Sequence, residues 1–92
     1  MTQFYKIIIS IIFSLTFANY SFSNENFFNE GVNYFKNKKY NDAKFLLQRS
    51  IVFDPKHADS YLYLAKIFKE ENDQINEEKN LETTLLIDPT NE

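Results

Sequence analysis

From about residue 27 onward, large apolar residues recur at helical rather than strand spacing. Phe27, Gly31, Tyr34 and Phe35 fall on one stripe, Asn37-Lys38-Lys39 interrupts it, and Ala43, Leu46, Leu47, Ile51 and Phe53 form the next. Pro55 cannot extend that second segment, and it pushes Asp54 out of helical geometry. The pattern then starts again over about residues 58 to 71, breaks at Asn72-Asp73 and resumes over about residues 75 to 87. Four helices of roughly 13 residues are predicted, each too short to be stable alone in water. One stripe must therefore be buried within each helical pair and another against the neighbouring pair.

The first residues follow a different pattern. Apolar side chains fill about two-thirds of positions 4–22 but fewer than two-fifths of positions 24–92. An apolar run over residues 7–18 follows Lys6 and contains no acid. It has the length of a signal-peptide core and is shorter than the ~20 residues of a membrane-spanning helix. Residues 1–23 are accordingly expected to be a signal peptide, cleaved after Ala18 or after Ser23. An uncleaved N-terminal membrane anchor and a buried structural segment are the alternatives. Export, to the periplasm of a bacterial envelope, follows from the first reading.

Self-similarity sharpens the helical reading. Asp54-Pro55 returns as Asp88-Pro89, each pair behind an apolar run, which sets a 34-residue offset. Moved by the same offset, Phe27 meets Tyr61, Gly31 meets Ala65, Tyr34 meets Phe68 and Leu47 meets Leu81. Large residues thus stand opposite large ones, and small opposite small. Two units are predicted, 24–57 and 58–92.

At these positions the chain resembles the tetratricopeptide repeat, whose pattern is Trp-x2-Leu-Gly-x2-Tyr, Ala-x3-Phe and Pro within a unit of about 34 residues. Unit one reads Phe27-x2-Glu30-Gly31-x2-Tyr34, Ala43-x3-Leu47 and Pro55. Unit two reads Tyr61-x2-Leu64-Ala65-x2-Phe68, Glu77-x3-Leu81 and Pro89. Glu77 replaces the small apolar residue, and Gln74 stands where unit one has Tyr40. Ile75, one residue on, is the candidate replacement for that aromatic. The resemblance implies an all-α helix-turn-helix repeat solenoid of four antiparallel helices behind the N-terminal signal segment.

The resemblance also implies a scaffold that holds a protein or peptide partner in a concave groove lined by the first helix of each unit. Carried over, the groove residues are Phe28, Val32 and Phe35 from unit one and Leu62, Lys66 and Lys69 from unit two. That surface is apolar at one end and cationic at the other, suited to an apolar peptide bearing a carboxylate. The family's carboxylate clamp places a lysine and an asparagine where Phe28 and Val32 stand, so that clamp is not expected. The alternative for the three unit-one residues is packing against residues 19–26 or a second chain. For Lys66 and Lys69 it is a merely solvated face.

Composition narrows the chemistry. The chain has no cysteine and one histidine, His57, and a net charge of −3. Disulfides, thiol catalysis and cysteine-bound metals are excluded, and nothing basic enough for nucleic acid appears. No catalytic residue, metal site or cofactor is expected, and the chain is not expected to be an enzyme. Residues 31–56 carry +4 and residues 57–92 carry −6. That division suits head-to-tail association of copies, or two solvated faces. Leu81 and Leu85 are expected to be partly uncovered, because stacked helical units leave a hydrophobic face at each end. A structural module that self-associates through such faces is therefore the alternative to the scaffold.

Overall fold

In a computed structural model, residues 24–91 are described. The signal-segment reading of residues 1–23 lies outside them. The described residues form four helices: α1 (Asn24–Lys36), α2 (Tyr40–Phe53), α3 (Ala58–Glu70) and α4 (Gln74–Ile87). Among the described residues there is no strand, and no helix is long and apolar enough to cross a membrane. In unit two the predicted boundaries hold to within one residue, and in unit one both helices begin three residues before the first residue of the predicted apolar stripe. α1 packs on α2 and α3 on α4; α3 also lies across α2 and, more lightly, across α1, whereas α2 and α4 do not approach each other.

The 34-residue period is carried by the backbone. α1 is followed by Lys38 at φ 61° and α3 by Asn72 at φ 60°, both in the left-handed region. In each case the next amide reaches back across the turn, Lys39 N–H donating to Tyr34 O at 2.9 Å and Asp73 N–H to Phe68 O at 2.9 Å. Lys38 N–H to Phe35 O and Asn72 N–H to Lys69 O complete two Schellman caps. The second helices also end alike. Asp54, at φ −140° and ψ 89°, and Asp88, at φ −134° and ψ 93°, are held extended by the prolines that follow. Their amides donate to Ser50 O and Thr84 O, both at 2.9 Å.

Because these bonds recur at an unbroken 34-residue offset, no one-residue slip occurs in unit two. Gln74 is the positional match of Tyr40, and Ile75 does not replace that aromatic: its side chain is 82% exposed. Tyr40, by contrast, is half-buried beside Phe35, with ring centroids 6.0 Å apart. The second helix of unit two is in fact partly inverted as an amphipath. α4 buries Thr84 while Leu81, Leu85 and Leu86 remain exposed.

The core sits where α1, α2 and α3 meet. Ala43, Leu47, Leu64 and Ile67 are buried together, with Phe28, Tyr34, Phe35, Tyr40, Ile51, Tyr63 and Phe68 packed around them. Gly31 permits this approach. A Cβ placed on it would lie 2.9 Å from Leu47 Cγ, nearer than real Cβ contacts allow. Lys44 on α2 crosses to the turn after α3 and donates to both oxygens of Glu71, at 2.8 and 3.0 Å.

Candidate interaction surface

α3 presents two apolar stripes rather than one. On the stripe Tyr61, Ala65 and Phe68, Ala65 lines the cleft toward α4 and Phe68 packs against the core cluster. A second, Ser60, Tyr63, Leu64 and Ile67, faces unit one, and within it Ser60, Leu64 and Ile67 are buried. Tyr63 on this second stripe touches three of the six predicted groove residues. Its ring meets Phe28 edge-on at 5.6 Å and 77°, and Phe35 at 5.6 Å and 83°. Phe28 also lies against His57, 4.8 Å between ring centroids. The ammonium of Lys66 stands over the same ring, 4.4 Å from the Tyr63 centroid. An ammonium so placed is attracted by the negative face of the ring.

The six predicted groove residues therefore fall into two linked groups. Phe28, Val32 and Phe35 are half-buried, and Phe28 and Phe35 contact α3 through Tyr63. Leu62, Lys66 and Lys69 line a cleft of about 210 Å³ between α3 and α4, together with Ala65, Glu77 and Leu81. Lys66 and Lys69 are exposed, and Leu62 and Glu77 half-buried. Tyr63 joins the apolar group to the cationic one. Sequence reading did not single it out, although Ser60, Tyr63, Leu64 and Ile67 form an i, i+3, i+4, i+7 set that marks a second helix face.

The acids of the turn between α3 and α4 have structural work. Glu71 pairs with Lys44, and Asp73 caps α4 by accepting from Asn76 N–H at 3.2 Å and from the Asn76 side-chain amide at 2.7 Å. These two bonds, the side-chain one first, hold the Asp73 carboxyl below its ordinary pKa, with Lys44 adding a smaller pull. A hollow of about 460 Å³ lies beside this turn, lined by Lys38, Lys39, Tyr40, Asn41, Asp42 and Glu71, away from the groove residues. Among the described residues no three carboxylate or imidazole groups converge as a metal site would require.

Compared with known proteins, the chain matches no protein-family model and no curated protein.

Proposed function

We propose that this chain is an exported tetratricopeptide-type scaffold whose two units recruit a protein or peptide partner through Phe28, Val32, Phe35, Leu62, Lys66 and Lys69, the first three offering only the faces that their packing inside the molecule leaves half-exposed. The observation that carries the reading is the position of Tyr63. It touches Phe28 and Phe35 while Lys66 sits over its ring, so an apolar surface and a cationic one adjoin. Two hairpins with the same caps at a 34-residue offset support the repeat assignment. The reading gives this chain binding rather than catalysis, and the signal segment delivers it to the periplasm.

The test is recovery of partners from an envelope fraction by the wild-type chain and by Lys66→Glu and Lys69→Glu variants. A distinct protein held by the wild type and lost from both variants is expected. The mass of the mature chain, measured on the same sample, reports cleavage after Ala18 or Ser23.

A structural, self-associating module is the second reading. It is favoured by the apolar side chains open to solvent on α2 and α4: Phe45 and Val52 on one, Leu81, Leu85 and Leu86 on the other. Recovery of the chain with copies of itself alone would decide for it.

A further inference from the structure

The α3–α4 cleft repeats, position for position, a seat that is filled elsewhere in the molecule. Its lining residues Leu62, Ala65, Lys66, Lys69, Glu77 and Leu81 stand one full repeat beyond Phe28, Gly31, Val32, Phe35, Ala43 and Leu47. In unit one that seat holds α3. Tyr63 rests against Phe28 and Phe35, His57 rests against Phe28, and Leu64 and Ile67 share one buried cluster with Ala43 and Leu47. Leu47 is 0% exposed there, whereas Leu81 in the open seat is 38% exposed. The path into the seat is repeated too. Asn91 N–H donates to Asp88 O at 3.1 Å, as His57 N–H does to Asp54 O at 3.1 Å just before α3 begins.

What differs is charge. Val32 and Phe35 are matched by Lys66 and Lys69, and Ala43 by Glu77. A helix filling the second seat must be apolar toward Leu62, Ala65 and Leu81. Where α3 sets Tyr63 against Phe28 and Phe35, the incoming helix meets Leu62 and Lys69, and a carboxylate at that place is the complementary group.

A second copy docked through α1, as α3 docks on unit one, does not meet these demands. The side of α1 that corresponds to Ser60, Tyr63, Leu64 and Ile67 consists of Asn26, Asn29, Glu30 and Asn33, all exposed. Docked in the same way, Glu30 takes the place of Leu64, facing Leu81 and the carboxylate of Glu77. Covering a charge beside a like charge opposes association.

We infer that the α3–α4 cleft binds a single amphipathic α-helix of a partner protein, with an Asp or Glu at the position where α3 carries Tyr63. The inference rests on the groove reading for Leu62, Lys66 and Lys69, and gives that end of the groove its class of ligand.

The probes are labelled peptides copying residues 57–71 of this chain with Tyr63→Glu or Tyr63→Lys, titrated against the full chain by fluorescence anisotropy. The cost of ordering a short helix is nearly common to both, so their ratio isolates the charge. The Glu peptide is expected to bind about tenfold more tightly than the Lys peptide, an advantage that shrinks in salt. Lys69→Glu in the protein, an exposed change, should invert the order. Binding by neither peptide, or a preference untouched by Lys69→Glu, overturns the inference. So does a concentration-dependent dimer that Lys69→Glu dissolves, which gives the seat to a second copy. If the peptides fail while an envelope partner is still lost from Lys66→Glu and Lys69→Glu, the groove stands and the helical ligand falls. If the variants also retain that partner, both fall.

Discussion

Ser60 donates a hydrogen bond from its hydroxyl to the hydroxyl oxygen of Ser50 at 2.9 Å, joining α3 to α2 where both residues are wholly buried. His57 Nδ1 lies 2.7 Å from the Ser60 oxygen. The two hairpins therefore meet through a polar link set within an apolar contact. Replacing one member of a buried hydrogen-bonded pair costs about 1–2 kcal/mol. Ser60→Ala should lower stability by that amount, read from urea unfolding midpoints. Ser50→Ala/Ser60→Ala should cost less than the two single changes together, because the pair is then removed as a unit. Additive losses would show that the link contributes nothing of its own.

Gly31 against Leu47 gives a prediction whose sign depends on two opposed effects. Alanine is a better helix former than glycine by up to about 1 kcal/mol. The new Cβ, however, would meet Leu47 Cγ at 2.9 Å, and Leu47 is wholly buried. Overfilling a closed core costs about 1–3 kcal/mol, so Gly31→Ala should be net destabilising. In a Leu47→Ala background the collision is gone, and the same Gly31→Ala change should become neutral or favourable. A double-mutant cycle on thermal unfolding measures the coupling.

The turns after α1 and α3 have the same geometry but different residues. Lys38 adopts φ 61° with a long side chain, whereas Asn72 at φ 60° is a residue type that visits this region more readily. Lys38→Gly should therefore raise stability by about 1 kcal/mol, and Asn72→Gly by distinctly less. The helix starts that follow also differ. Asp73 caps α4 through its carboxylate, but Lys39 provides no side-chain cap to α2. Lys39→Asp should add about 1 kcal/mol, minus the loss of the weak contact of Lys39 with the Tyr34 ring at 5.9 Å. Scanning calorimetry of the three single variants resolves these differences.

Much of this architecture was legible in the sequence, because its signals are local. Proline after each second helix, the small residue at position 31 or 65 and the 34-residue offset act through nearest neighbours. The apolar period alone therefore places four helices and their breaks. The groove was harder to read, since it depends on which stripe of α3 faces which unit. Phe28 and Phe35 look like free groove residues when α1 is considered alone, and only the placement of Tyr63 shows them already in contact. Ile75 misled for a related reason. A large apolar residue beside the expected slot looks like a slipped replacement, but the Asp73 cap and the turn before it fix the register, leaving Ile75 in solvent. Ser50 and Thr84 carry no apolar signal at all, although they occupy equivalent buried places in the two units.

Asp73 makes the α4 cap dependent on pH in a direction that can be stated. The Asn76 amide groups stabilise its charged form in the folded chain, so the native carboxyl binds a proton less readily than the unfolded one. Stability linked to Asp73 is then fully present above the unfolded pKa, near pH 4, and is lost as the pH falls through the lower native value. Asp73→Asn keeps an oxygen that can cap the helix but removes the titration. The stability gap between wild type and Asp73→Asn should be flat from pH 7 to about pH 5 and close in acid. Urea unfolding at pH 7, 5 and 3 measures it. A gap that persists unchanged to pH 3 would mean that the difference does not come from titration of the carboxylate, and no gap at any pH would mean that the cap works through its geometry alone.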